Sequence, residues 1–200
     1  MTGLDRIRYY FTNARWQEEN NAVDDRPAGP LERYFEDFAV GDVYRFPLGR
    51  TITEADNVWF SLLTMNTNQL HFNTEFASAT EFGRPLVNSG FSVALVLGMS
   101  VSDVSAQAIA NLGWTDIELT RPLYVGDTVY TRSTVTGARP SRSRPGDGFA
   151  SVLTSGINQR GEEFLRFRRS FLVRGRAHRI DVFPHTAPDA VDDAGLDEQP

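Results

Sequence analysis

"RPLVNSGFSVALVLGMSVSDVS", residues 84 to 105, decides the fold. From Phe91 to Val101 apolar side chains occupy nearly every face of a helical wheel, and such a helix belongs inside a protein. The run is shorter than the roughly 20 apolar residues that cross a membrane. Ser89 stands where a hydroxyl can cap the helix N-terminus, and Asp103 falls at its far end.

The flanks say what encloses this helix. "DVYRFPLGRTIT" (42–53) is strand-like, and Thr53 followed by Glu54 and Asp56 reads as a helix start that "NVWFSLLTM" continues. "NTEFASATEFG" (73–83) predicts a short second helix, capped by Asn73 or Thr74 and stopped at Gly83. Downstream the period changes to that of strands over 108–122, 127–139, 148–159 and 162–173. Turn signals at "YVGD", "RPGDG" and "NQRGE" separate them. One strand, helices including an apolar one, then four hairpin-linked strands describe an α+β domain. Its long antiparallel sheet wraps a central helix, which is the hotdog fold.

Composition sets the outer bounds. With 40% hydrophobic and 12% aromatic residues among 200, the chain can bury a core. The net charge of −6 argues against nucleic acid as a partner, and no apolar run suggests a membrane span or a secretory signal. The cytoplasm is therefore the expected compartment. There is no cysteine, which removes disulfides and thiolate chemistry. All 20 basic residues are arginine, so lysine Schiff-base chemistry and a phosphate-loop lysine are excluded. Residues 1–33 read as an extension, with a short helix over Leu4 to Gln17. Residues 34–175 form the domain, and 176–200, ending in "APDAVDDAGLDEQP", form an acidic disordered tail.

"TMNTNQLHFN", residues 64 to 73, gathers amides and a histidine where a helix finishes. Together with "FEDFAVGDVY", the stretch through "GRPLVNSGF" and "RPLYVGDTVYTRSTV", it resembles the MaoC-like dehydratases, the (R)-specific enoyl-CoA hydratase branch of the hotdog superfamily. That family's catalytic segment runs Asp, any residue, Asn, any residue, Leu, His. About fifteen residues later it has Arg-Pro, a hydrophobic residue, then Val-His-Gly. This chain has Asn66, Asn68, Leu70 and His71 at the first, and Arg84, Pro85, Leu86, Val87, Asn88 and Ser89 at the second. The family's Asp is thus Asn66, and its His-Gly pair is Asn88-Ser89. A subgroup acting on methyl-branched dicarboxylic acyl-CoA esters, of which mesaconyl-CoA hydratase is an example, carries such an Asn, and the chain is most similar to that subgroup.

The resemblance implies a hydro-lyase that adds water reversibly across the α,β double bond of a short enoyl-CoA, and a homodimer or higher homo-oligomer. Such chemistry needs a proton-transfer group, a held water, and donors for the enolate-like oxygen. His71 is the one histidine inside the core and takes the first role; Asn66 takes the second by positioning the water. The backbone N–H groups of Ser89 and Gly90 take the third, at a helix N-terminus with a favourable dipole. Asn68, Arg84 and Asn88 are candidate substrate-binding residues, with Asn68 also bracing the loop and Arg84 placed to pair with a substrate carboxylate. No metal and no resident cofactor are required, coenzyme A being part of the substrate. Arg139, Arg142 and Arg144 read either as a solvated cluster or as contacts for coenzyme A phosphates. Two other classes stay open: a non-catalytic acyl-CoA binder or subunit of a heteromeric hydratase, and a thioesterase. The last is disfavoured because residues 85–102 hold no acid.

Overall fold

A computed structural model of the chain describes residues 33–180. The Leu4–Gln17 helix and the acidic tail beyond 180 lie outside the described residues. The sheet comprises β1 (Val43–Arg45), β2 (Arg50–Thr51), β3 (Ala108–Leu119), β4 (Thr128–Pro140), β5 (Gly148–Asn158) and β6 (Glu163–Val173). All pairings are antiparallel, in the order β1-β4-β5-β6-β3, with β2 also on β4. The single strand expected at 42–53 is split in two around Pro47, which has no N–H to give to a ladder.

Three helices precede β3: α1 (Glu54–Leu63), α2 (Thr74–Ser78) and α3 (Ser89–Met99). Thr53 and Asp56 close a capping box on α1, each side chain accepting the other's backbone N–H. Burial works against the Asp56 carboxylate, but bonds from Thr53 and from Arg50, 2.6 Å away, outweigh it and lower its pKa. Asn73 caps α2, which ends at Ser78, short of the expected stop at Gly83. A π-helical turn over Val101–Ser105 follows α3 and carries Asp103, whose pKa burial raises.

The central helix α3 rests on β4 and β5. Val96 is fully buried beside Phe164 and Phe167 of the core. Gly156 makes the seat possible: a Cβ there would lie 2.6 Å from Val96 Cγ2 and 2.6 Å from the Phe164 ring. The helix is not enclosed on every side, however. Gly90, Ala94 and Gly98 are exposed, as are Leu112, Trp114, Ile117 and Leu119 of edge strand β3. A single sheet covers only one side of a helix, so an all-round apolar α3 keeps one face open. Below its C-terminal end lies Arg169, fully buried, donating to Ser100 Oγ at 3.3 Å. Burial lowers its pKa to about 10.

The described chain closes around Asp147, which is 1% exposed. It accepts from Arg144 Nε (2.8 Å), the Gly175 N–H (3.0 Å) and His178 Nδ1 (2.7 Å). Arg176 meanwhile reaches Asp37 at 2.6 Å. Residues 176–178 are thus a fastened turn, and the folded region extends past the boundary drawn at 175. Burial would raise the Asp147 pKa, but the bonds from His178, Gly175 and Arg144 hold it down at about 2.

Two outcomes follow from these contacts. Gly156→Ala is expected to lower stability by about 1–3 kcal/mol through overpacking beneath α3, read as a drop in thermal midpoint. Because the folded Asp147 pKa is depressed from 3.8 to about 2, its contribution of about 2 kcal/mol is present above pH 3.8. It is lost as pH falls through about 2. Chemical denaturation across pH should show Asp147→Asn less stable by about that amount near neutrality, the gap closing towards pH 2.

Candidate active site

The segment between α1 and α3 is built largely by its amides. Helix α1 ends with Met65 in the left-handed region, at φ 54°. Met65 N–H reaches Leu62 O at 3.0 Å and Asn66 N–H reaches Ser61 O at 2.9 Å, the pairing of a Schellman stop. Asn66 Oδ1 then accepts the Asn68 N–H (3.0 Å), and Asn68 Oδ1 accepts the Leu70 N–H (3.1 Å) at the start of the single turn Gln69–His71. Asn73 Nδ2 donates back to Gln69 Oε1 at 2.5 Å. Short amide side chains suit this role because they satisfy backbone N–H groups that no helix or strand would pair.

His71 sits at the end of that turn, half-buried. Its Nδ1 lies 3.1 Å from the Leu86 carbonyl oxygen. A carbonyl only accepts, so the neutral ring carries its proton on Nδ1 and keeps the Nε2 lone pair for another partner. One cleft has His71, Asn57, Glu54, Thr74, Arg84 and Val125 among its walls. Arg84 stacks its guanidinium 3.9 Å above the Tyr124 ring and forms no ion pair among the described residues. Its in-plane N–H groups are left for a carboxylate or phosphate. Asn66 and Ser89 are not part of this cleft's lining.

The start of α3 differs from expectation. The N-cap is Asn88, not Ser89: Asn88 Oδ1 accepts the Gly90 N–H at 2.9 Å. The amide at Gly90 is therefore already engaged, while Ser89 is an exposed residue whose N–H has no acceptor among the described residues. Asn88 is itself buried, with Nδ2 donating to Ser61 Oγ at 3.1 Å, so its side chain holds the helix start and is not presented to a ligand. Nor do Arg139, Arg142 and Arg144 stand near His71. Arg139 stacks on Phe149 and Arg144 pairs with Asp147. They lie at or beyond the far end of β4 from Thr128, roughly 40 Å along the strand at about 3.3 Å per residue.

Reading the sequence missed two residues of this site. Glu54, in the first turn of α1, looks like an ordinary helix-start acid. Asn57 looks like one polar position in a helix, yet it is 1% exposed and makes three hydrogen bonds. Its Nδ2 donates to His71 O (2.8 Å) and Leu86 O (2.9 Å), and its Oδ1 accepts the Asn88 N–H (2.8 Å). The structure alone reveals it: α1 buries Asn57 and Ser61 while Trp59, Leu62 and Leu63 face solvent.

Residues 37–155 match the family model described as MaoC like domain, and the chain belongs to that family. It is 32% identical over 157 residues to mesaconyl-CoA hydratase of Cereibacter sphaeroides, covering 78% of this chain and 46% of that protein. It is 33% identical over 159 residues to β-methylmalyl-CoA dehydratase of Chloroflexus aurantiacus, covering 80% and 45%. The chain thus spans about half the length of these curated relatives. Among solved structures, a Mycobacterium tuberculosis protein with a double hotdog fold superposes with TM-score 0.67 at 24% identity, over 76% of this chain and 47% of that one. The hotdog architecture is common to both.

The role of Asn68 is open to a direct comparison. If it serves the turn, Asn68→Asp keeps an acceptor for the Leu70 N–H, whereas Asn68→Ala loses it at a cost of about 1 kcal/mol. Amide hydrogen exchange at Leu70 should therefore quicken in the Ala variant alone. Equal effects of both changes on ligand affinity, with exchange unaltered, would instead make Asn68 a direct contact.

Proposed function

We propose that this domain is an acyl-CoA hydratase/dehydratase, adding water reversibly across the α,β double bond of a short enoyl-CoA. The observation that carries the reading is the His71 ring, held by Leu86 O so that Nε2 is free to take a proton. In the hydration direction, His71 Nε2 removes a proton from water held by Asn66 Nδ2, the end of that amide not spent on the Asn68 N–H. The oxygen bonds to the β-carbon while the double-bond electrons move towards the thioester carbonyl. The Ser89 N–H donates to the oxygen where negative charge gathers. The proton on His71 then passes to the α-carbon, regenerating the base. The step as written uses no metal and no cofactor besides the coenzyme A of the substrate.

The acyl group we propose is a methyl-branched dicarboxylate of the mesaconyl type. The most informative relatives act on such esters by name, and Arg84, which forms no ion pair among the described residues, lines the same cleft as His71. An Asp at position 66 would oppose a substrate carboxylate: two charges ~4 Å apart repel by about 4 kcal/mol at an effective dielectric of 20. A neutral Asn66 avoids that while keeping a donor for water.

A second copy of the chain is proposed to complete the assembly. The apolar β3 edge and the uncovered α3 face suit a second hotdog, and the curated relatives are about twice as long as the stretch they share with this chain. No helix among the described residues is long and apolar enough to cross a membrane. We place the enzyme in the cytoplasm.

The test is an absorbance assay following loss of the enoyl thioester with mesaconyl-CoA and with crotonyl-CoA. Hydration of mesaconyl-CoA is expected, with His71→Ala slower by roughly 10²–10⁴-fold. Arg84→Gln should raise KM for the dicarboxylic ester and leave crotonyl-CoA unaffected. Activity on crotonyl-CoA alone would overturn the dicarboxylate assignment. A folded protein that binds both esters and hydrates neither would overturn the enzyme.

A further inference from the structure

We infer that Asn57 is the positioning residue of this site: one buried amide sets the tautomer of His71 and ties it to the start of α3. Its kinetic consequence rests on the hydratase reading above; its structural consequence does not.

Three backbone points converge on this side chain. Nδ2 donates to His71 O at 2.8 Å, so the turn that carries the imidazole is held from behind. The same Nδ2 donates to Leu86 O at 2.9 Å. That carbonyl is also the acceptor for His71 Nδ1 at 3.1 Å, and its two lone pairs are matched by two donors. Oδ1 accepts the Asn88 N–H at 2.8 Å, immediately before the Ser89 N–H, which has no acceptor among the described residues. One turn later in α1, Ser61 Oγ accepts from Asn88 Nδ2, so two successive turns of the helix grip the same residue.

The arrangement runs against the ordinary pattern of a helix. A surface helix turns apolar residues inward, yet α1 buries Asn57 and Ser61 and leaves Trp59 65% and Leu63 77% exposed. Such local inversions are expected where a site, not packing, dictates the side chain. Asn is suited to the task because it offers donors to two carbonyls and an acceptor to an amide on one short rigid fork. Asp would set a second acceptor against Leu86 O and His71 O. With the acceptor for Nδ1 displaced, the proton is free to sit on Nε2, and the base is lost.

Imidazole ¹⁵N spectra test this on the intact chain, which has three histidines to assign. In the unaltered protein the neutral His71 ring should carry its proton on Nδ1; a proton on Nε2 would overturn the inference without any variant. Asn57→Asp should give a mixture of tautomers, with kcat down by roughly 10²-fold and KM changed little, as small misplacements of a catalytic group do. A purely structural Asn57 would lower the melting temperature while the tautomer and kcat stayed as they are, and that result would also sink the inference. If Asn57→Asp does not fold, Ser61→Ala loosens the same grip on Asn88 and should slow kcat, leaving the His71 tautomer intact; an unchanged kcat overturns the link to α3. Should the unaltered protein hydrate no enoyl thioester, the hydratase reading falls, and the tautomer comparison still decides the role of Asn57.

Discussion

The whole site depends on how closely α3 lies on the sheet. Gly156 leaves no side chain under Val96, so the helix drops to van der Waals contact with β5. Its N-terminus then stands beside Leu86 and Val87, where the chain is pinned by the Leu86–Tyr124 bridge and by Val87 N–H to Leu123 O at 2.9 Å. A helix raised by even a methyl group would move the Ser89 amide relative to an imidazole bonded three residues upstream, at Leu86 O. Packing density and site geometry are therefore one constraint.

Around that fixed helix the protein spends polar groups where a core would ordinarily be apolar. Asn57, Ser61, Asn88 and Ser92 are all buried near the α1–α3 junction, and each has a hydrogen-bond partner. Satisfied in this way, a buried polar cluster defines one arrangement of its members, because any slip leaves a donor or acceptor unmatched. The two helices also share an apolar contact, a tilted pair of Phe60 and Phe91 at 5.3 Å. The hydrogen bonds from Asn57 and Ser61 to Asn88 fix the register between them.

Much of this architecture was legible in the sequence. The all-apolar run after Ser89, the period-2 stretches beyond 108 and the turn dipeptides between them sufficed for an antiparallel sheet around a helix, and the sheet order bears that out. Local chemistry was legible too: Thr53 and Asp56 cap α1, and Asn73 caps α2. The cap of α3 was placed one residue late, because Asn88 and Ser89 are both good caps and only the burial of Asn88 against Ser61 separates them. The arginines near the hairpin tip were weighed as phosphate ligands. Their position at the far end of β4 follows from strand pairing, which spacing along the chain does not show.

The sequence by itself determined the elements, their order and the family, since periodicity, turns and a contiguous motif are all short-range properties. Tertiary structure alone decided which polar groups are spent inside and which remain for chemistry. Asn68 Oδ1 and Asn88 Oδ1 serve turn and cap, Gly90 N–H is engaged, and Ser89 N–H and Arg84 keep no hydrogen-bond or ion-pair partner among the described residues. Asn57 shows the reason most plainly: its three partners are 14, 29 and 31 residues away. A hydrogen bond across such a separation exists only when the sheet and helix have already brought the segments within 3 Å, and no local pattern can encode that.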